Sequence, residues 1–570
     1  MNAGGRPTVL ILGAGINGCS VARELVLNGV GVWIVDLHDV ACGATSRSSR
    51  LIHGGLRYLE YGDFRLVRES LAERATLRKL APQFVEPLRL YIPIARRSGG
   101  LLQSAGRFLG LARSKALTWL TRSLMRPSER GLWAVEIGLW LYDRLASDPA
   151  TPQHSVHSLA DAGVPQVDRT RYRWMCGYSD AQMRFPERYC VALLEDARQI
   201  ARDTHVEFRL FTYSQAEFTD GSFRIATGTG EGLSCPASLV VNATGAWGDL
   251  TLGRLHVPAP RLFGGTKGSH FITHQRALKE AIGSTGVYAE AADGRLIFTL
   301  PFGDAVLVGT TDERFDDPPE RAVASDGELA YLLATVNQLF PDVHLARTDV
   351  TLTYSGVRPL PYANGGSEGS ISRDHSVEVS IHHNIPVLTL VGGKLTTSRA
   401  FGELVADEVL RRLSIVRSAT TAARSVPGGK GVPHDRAALE RRWEELASQF
   451  GLNVVQVRAM WSLCGNRVAE ILETQRTVDA DSAENQNVSG SALPRSFARW
   501  VIEHEWVERI EDLVERRLML IYDPGLSRQT IGELAELLIE AGRLDPPGKE
   551  AAVDAAVRRC EAIYGRMLTP

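Results

Sequence analysis

The segment TVLILGAGINGCSVARELVLNGVGVWIVD, residues 8–36, constrains this chain more than any other. An apolar run, a glycine turn, a helix-periodic stretch and a second apolar run ending in an acid read as one β–α–β unit. Gly13, Gly15 and Gly18 stand at G-x-G-x-x-G spacing directly after the first strand. Without side chains there, the turn can tighten, a pyrophosphate can approach the backbone and the helix can pack on the strand, while the helix N-terminus favours negative charge. Asp36 ends the second strand, 23 residues after Gly13, where a carboxylate can accept hydrogen bonds from a ribose. The pattern predicts a dinucleotide site; a βα turn without ligand is the alternative.

Composition removes several classes. With 570 residues the chain exceeds one ordinary core and implies two or three domains. Hydrophobic residues make up 44% and charged residues 23%, at a formal net charge of -2, so nothing global points to a nucleic-acid partner. The seven cysteines lie far apart and form no C-x-x-C pair. That argues against a disulfide framework and against a zinc site, and fits a reducing, cytoplasmic setting. No metal is expected. MNAGGRP runs into the first strand without a charged n-region or cleavage signal, and no uninterrupted apolar run reaches about 18 residues. Neither secretion nor a membrane span is expected.

The stretch TSRSSRLIHGGLRY, residues 45–58, crowds hydroxyls, guanidiniums, a histidine and two glycines beside this first unit. Its hydroxyls and backbone amides can wrap the remainder of a dinucleotide, and Gly54 and Gly55 can admit a flat ring. A polar surface loop capping a helix is the alternative. LRYLEYGDFRLVRESLAERATLRKLAP then reads as one long helix.

GAGINGCSVARE, ACGATSRSSRLIHGGLRYLEYGDFRLVRESLAER, SGVRPL, SRDH and VGGKLTT follow in this order. Together they resemble the FAD-dependent, quinone-linked glycerol-3-phosphate dehydrogenases, over residues 8–412 and more loosely through EHEWVERIEDLVERR. The resemblance implies FAD as cofactor and an α/β fold. Its parts are a glutathione-reductase-type Rossmann FAD-binding domain, an antiparallel β-rich substrate cap domain and a C-terminal α-helical domain. The expected boundaries give the FAD-binding domain residues 1–86, 151–260 and 355–412, and the substrate cap residues 261–354. Residues 87–150 form a cap or membrane-associated helical segment, and 413–570 the helical domain.

The implied reaction is oxidation of sn-glycerol 3-phosphate to dihydroxyacetone phosphate by hydride transfer from C2 to flavin N5, with electrons passed to membrane quinone. Such chemistry needs a base, cations for a phosphate and a stabiliser for the reduced ring. To FAD the motifs assign Gly13, Gly15, Asn17, Gly18 and Asp36, then Thr45, Ser46, Ser48 and Ser49, with Gly54 and Gly55 at its ring. In SLVVNATGAWGDL, Gly245 lies along the cofactor. In PVLTLVGGKLTTSRAF a second strand–glycine–helix turn adds Gly393, Lys394, Leu395 and Thr396, where a helix N-terminus and Lys394 favour negative charge on the reduced ring.

Arg57, Arg358 in SGVRPL and Arg373 in SRDH make a guanidinium cluster suited to a phosphomonoester dianion. Arg57 and Arg373 take the substrate phosphate, Tyr58 and Thr311 hydrogen-bond the substrate, and Arg358 stands at the reacting hydroxyl. The base is open between His270 in KGSH, His53 in IHGG, and a water aided by Arg358. Between FGGTKGSHFITH and TDVTLTYSGVRPL, short β-rich runs with DG and GD turns predict an antiparallel sheet.

Implied partners are glycerol 3-phosphate, a membrane quinone and the membrane surface, with a homodimer left open and no nucleic acid. No second dinucleotide fingerprint appears, so NAD is not the expected acceptor. The expected location is cytoplasmic, peripheral to the inner face of the cell membrane. Residues 87–128 contain eight Lys or Arg and no Asp or Glu, and within 100–126 apolar residues recur at helical steps. This predicts a helix in an anionic membrane interface, with packing in the cap as the alternative. A glycerol-3-phosphate oxidase using oxygen and a non-catalytic flavin-binding membrane sensor or scaffold are the competing functions. After Leu413, SIVRSATTAARSVPGGKGVPHDR has linker composition, and His504, Glu505 and Trp506 read as packing residues.

Overall fold

The computed structural model describes residues 6–59, 62–97, 131–146, 148, 151–227, 232–362, 374–433, 435–475 and 485–569. The chain begins with the expected unit: β1 (Thr8–Leu12), α1 (Ile16–Leu27) and β2 (Gly31–Val35). All five β1 side chains are buried, because both faces of the strand are covered. Val9 and Ile11 point into a core shared with α1 and helices Pro186–Thr204 and Ser398–Arg412, whereas Leu10 and Leu12 enter a second core on the opposite face.

These strands belong to a six-stranded sheet in the order Ser376–His382, Ile385–Val391, Ala237–Asn242, β1, β2 and Phe208–Phe211. All neighbours are parallel except the first pair, a hairpin on one edge. A three-stranded antiparallel sheet, Gln215–Thr219, Ser222–Ala226 and Leu233–Cys235, adds Ala216, Phe223, Ile225 and Cys235 to the second core.

The predicted sheet is present, with ten strands, antiparallel except where Gly286–Glu290 runs parallel to Val85–Ile94. Its extent corrects the expected boundaries: Ser155–Ser158 and Trp174–Met183 pair with each other, and the latter pairs along its whole length with Val85–Ile94. They therefore belong to the substrate-cap sheet and not to the second part of the FAD-binding domain. The chain returns to the nucleotide sheet only at Pro186, the first residue of a helix whose fixed φ suits that position.

Two other expectations change. The long helix after residue 55 is two helices, Leu56–Leu59 and Phe64–Leu80, because Gly62 has φ +74° and the Asp63 carboxylate accepts the Leu66 N–H as an N-cap. The linker after Leu413 is no free tether. Glu24 of α1 and Asn28, which caps its C-terminus, accept hydrogen bonds from Thr421 and from Ser418 and Ala419, fastening this segment to the first core. The interfacial helix expected within 100–126 lies outside the described residues.

From Arg436 onward the chain is helical, and its core is continuous with one face of the ten-stranded sheet. The cluster at 504–506 packs as expected: His504 stacks on Trp500 with ring centroids 4.6 Å apart, and buried Glu505 forms a two-bond ion pair with Arg188. All seven cysteines are free thiols. Among the described residues no helix is long and apolar enough to cross a membrane.

Candidate active site

β1 delivers the chain to Gly13, whose φ of +100° excludes ordinary side chains; a methyl there would lie 2.7 Å from the Ala243 carbonyl oxygen. The end of β1 thus lies against the turn Ala243–Thr244 that leads from strand Ala237–Asn242 to Gly245, and the N-terminus of α1 opens into the space between them. The Asp36 carboxylate accepts the Ala14 N–H at 2.7 Å and the His38 N–H at 2.9 Å. Burial raises its pKa, against the pull of those two amides. Thr45 turns its hydroxyl to the first turn of α1, accepting the Ile16 N–H at 3.1 Å.

A cavity of about 350 Å³ runs along these groups. Gly13, Gly15, Asn17 and Asp36 line it from the first unit, and Thr45, Ser48, Ser49, His53 and Tyr58 from the following stretch. Gly245, His270 and Arg358 join them, as do Gly393, Lys394, Leu395 and Thr396. Segments spread over nearly four hundred residues of sequence therefore meet in one space. The Lys394 ammonium sits 3.9 Å from the centroid of the Tyr58 ring. His53 donates its backbone N–H to Thr396 Oγ1 at 3.1 Å, which joins the IHGG and GGKLTT motifs.

Arg358 is held in place by Asp312 at 2.8 Å and by the Thr311 carbonyl at 3.1 Å. It fits only because residue 268 is glycine, since a methyl there would lie 2.2 Å from its Nη2. The His270 ring stacks on Tyr354 at 4.8 Å, and its Nε2 is 2.9 Å from Ser49 Oγ. Burial and the nearby Arg358 and Arg50 hold its pKa well below the ordinary 6.5. His53 is also lowered, by burial and by Lys394 and Arg74, although Asp180 pulls the other way.

Several expected residues stand elsewhere. Gly18 packs helix on turn, as its Cβ would lie 2.0 Å from the Gly13 oxygen, and does not line the cavity. Ser46 directs its hydroxyl to the carbonyls of Cys42 and Gly43. Gly54 lies under Leu71 and Tyr142, donating its N–H to the Tyr142 hydroxyl at 2.8 Å, and Gly55 makes room for the Tyr58 ring; neither borders the cavity. The Thr311 hydroxyl donates to Glu328 at 2.7 Å and accepts the Ser269 N–H at 2.8 Å, and Thr311 does not line the cavity. Arg57 sits on the short helix before Tyr58, outside the lining, and Arg373 lies outside the described residues.

Sequence reasoning missed Cys42, Gly43 and Ser214–Ala216, which line the nucleotide side. It also missed the role of Arg50, which is fully buried, pairs with Glu187 at 2.7 Å and donates to the Tyr522 hydroxyl at 2.6 Å. No spacing rule links residues that far apart.

The family model of FAD dependent oxidoreductases matches residues 8–408. The chain belongs to the FAD dependent oxidoreductase family. Within this family it groups with glycerol-3-phosphate dehydrogenases. It is 33% identical over 492 residues to the glycerol-3-phosphate dehydrogenase of Synechocystis, covering 81% of this chain and 80% of that one. It is 29% identical over 521 residues to the aerobic glycerol-3-phosphate dehydrogenase of Escherichia coli, covering 89% and 93%. A D-erythritol 1-phosphate dehydrogenase of Brucella abortus is 28% identical over 519 residues, covering 89% and 93%. The solved glycerol-3-phosphate dehydrogenase from Bacillus halodurans complexed with FAD shares the fold, with a TM-score of 0.70 at 20% identity over 98% of this chain and 96% of that one.

The cavity of this FAD dependent oxidoreductase fits the family's cofactor. Gly13 leaves bare backbone where a Cβ would collide, α1 presents its N-terminus, and the buried Asn17 Oδ1 has no hydrogen-bond partner among the described residues. Asp36 supplies the acid such a site requires at a ribose.

Proposed function

We propose that the protein oxidises the C2 hydroxyl of sn-glycerol 3-phosphate to give dihydroxyacetone phosphate, and passes the electrons to a quinone in the membrane from the cytoplasmic side. One observation carries this reading: a single cavity joins the glycine turn and Asp36 to Lys394, Arg358, His53 and His270. A phosphorylated polyol brings the matching dianion and hydroxyl. The relatives named for glycerol 3-phosphate and for erythritol 1-phosphate act on substrates of that class.

When bound, FAD supplies the acceptor for two electrons and one hydrogen from the substrate carbon. Gly13, Gly15 and Asn17 would hold its pyrophosphate and Asp36 its ribose. Lys394 and the N-terminus of helix Ser398–Arg412 offset negative charge at the ring. Arg358, fixed by Asp312, polarises the reacting hydroxyl. We assign proton acceptance to His53. His270 has its Nε2 engaged by Ser49 Oγ at 2.9 Å and its ring stacked on Tyr354, so it serves as part of the hydrogen-bonding wall. Arg57 and Arg373 are the proposed phosphate ligands on motif resemblance.

Steady-state assays test this reading. Glycerol 3-phosphate should drive reduction of a water-soluble quinone analogue with little peroxide formed in air. Comparable peroxide production would make the protein an oxidase, and a higher kcat/KM with erythritol 1-phosphate would change the substrate.

A further inference from the structure

Strand Thr266–Thr273, TKGSHFIT, turns its two faces to different surroundings. Gly268 and His270 line the cavity, whereas Phe271 enters the apolar core made with helix Asp326–Leu339. Side chains alternate along a strand, so Lys267 and Ser269 share the side of Phe271. There, behind the cavity wall, the buried Glu328 of that helix gathers them. Its Oε1 accepts the Ser269 and Thr311 hydroxyls, each at 2.7 Å, while its Oε2 lies 2.8 Å from the Lys267 ammonium and accepts the Ser325 N–H at 2.9 Å. The Ser269 hydroxyl is also 2.7 Å from that of Ser355, on the adjoining strand Val350–Arg358.

Helix capping accounts for part of this arrangement, since Ser325 and Glu328 form a reciprocal capping box. A cap needs neither Lys267 nor the two hydroxyls from the sheet. The buried ion pair does not explain itself as a source of stability, because taking two charges out of water offsets most of their attraction. Burial pushes the Glu328 carboxyl up, but Lys267, Ser325, Thr311 and Ser269 together outweigh it and lower the pKa, so the group is an ionised acceptor for all of these donors. What such a carboxylate fixes is geometry. It ties the helix, strand Thr266–Thr273 and the segment leaving strand Ala305–Gly309 to one point.

That point lies directly behind Arg358. Thr311 turns its hydroxyl back to Glu328 and its carbonyl forward to the Arg358 guanidinium at 3.1 Å. Its two neighbours in the chain hold the same guanidinium, Thr310 through its hydroxyl at 3.1 Å and Asp312 through its carboxylate at 2.8 Å. Ser269, the other donor to Oε1, stands between Gly268, whose missing side chain admits Arg358, and His270. We propose that Glu328 is a positioning residue for the reaction, holding Thr310–Asp312 and strand Thr266–Thr273 in the arrangement that points Arg358 at the reacting hydroxyl. This rests on the role given to Arg358 above. Arg358 acts on charge that develops at that hydroxyl, whereas the substrate phosphate is bound by other groups, so lost aim lowers kcat and leaves KM nearly unchanged.

The test uses Thr311→Val in the full-length, FAD-loaded protein, which removes the hydroxyl joining Glu328 to the clamp and leaves the helix cap and the Lys267 pair in place. With glycerol 3-phosphate and a water-soluble quinone analogue, kcat should fall about tenfold or more while KM stays within about threefold. The isotope effect on kcat with substrate deuterated at C2 should rise, because hydrogen transfer then limits turnover. Thr311→Ser, which restores the hydroxyl, should recover kcat, and Glu328→Gln should behave as Thr311→Val does. Wild-type kcat and isotope effect in Thr311→Val would overturn the proposal. So would a loss of kcat that Thr311→Ser fails to restore, or one matched by an equal loss of FAD, as a merely structural role predicts. If Glu328→Gln fails to fold, Thr311→Val and Thr311→Ser decide alone. A wild type without turnover on glycerol 3-phosphate would refute the function and leave the positioning to crystal structures of wild type and Thr311→Val: a guanidinium displaced by about 1 Å or more upholds it, and an unmoved one overturns it.

Discussion

Arg517 grips Asp39 with two parallel hydrogen bonds of 2.7 Å, both side chains wholly buried and 478 residues apart in sequence. Asp39 lies three residues beyond Asp36, in the turn whose His38 and Cys42 line the cofactor cavity. The neighbouring Arg516 adds a bond of 2.6 Å to the same carboxylate, and both arginines come from the π-helical turn Leu513–Arg517. The C-terminal domain thereby holds the wall of the nucleotide site.

Replacing Arg517 by Met should show this hold directly. Breaking a buried pair by removing one partner costs about 3–5 kcal/mol. Arg517→Met should melt at a lower temperature and lose FAD on dilution, read by the rise of free flavin fluorescence. An unchanged melting temperature and flavin content would contradict the clamp.

Acid should open the same contact. Burial raises the Asp39 carboxyl, but Arg517 and Arg516 outweigh it and hold the pKa at about 2. Glu515 is held at about 2 by Arg516 and Arg559 against the same burial. A carboxylate with a depressed folded pKa contributes its full stability above the unfolded value and loses it as pH falls through the folded one. Stability and FAD retention should therefore fall between about pH 4 and pH 2, as measured by denaturant midpoints across that range. A flat profile there would count against the ion pairs.

The assignment of His53 predicts a kinetic signature. Its imidazole must be neutral to accept a proton, and its pKa lies below 6.5. kcat/KM should fall as pH drops through a value under 6.5, and His53→Gln should remove that limb along with roughly 10²–10⁴-fold of the rate. His270→Gln should keep the limb. If the limb disappeared with His270 instead, the roles would be reversed.

Gly268→Ala should act through Arg358. A methyl at this position would lie 2.2 Å from Arg358 Nη2 and 2.5 Å from Thr310 Oγ1, so the guanidinium must move. Misplacing a positioning group should lower kcat/KM for glycerol 3-phosphate by about tenfold or more, with flavin content retained. Normal kinetics would show that Arg358 does not face the substrate.

What could be read in the sequence was local. Gly13, Gly15 and Asp36 sit within one β–α–β unit, where spacing alone fixes their relation, and the structure puts all three on the cavity. Thr45, Ser48 and Ser49 were legible for the same reason, being close in sequence to that unit. Gly54 and Gly55 share the motif but turn inward to Tyr142 and Tyr58, because a short strand at Leu51–Ile52 fixes where the chain goes next. Composition could not show which sheet Trp174–Met183 would join, since a buried strand looks alike in either. Arg50 with Glu187 and Arg517 with Asp39 carried no signal, as each pair is made only when distant segments pack.

The central claim is that this cavity oxidises glycerol 3-phosphate on bound FAD. The most direct measurement is the visible spectrum of the purified FAD-loaded protein when glycerol 3-phosphate is added without oxygen. The account predicts that flavin absorbance bleaches and returns on adding a quinone analogue. Flavin that stays oxidised with glycerol 3-phosphate, yet is bleached by dithionite, would contradict it.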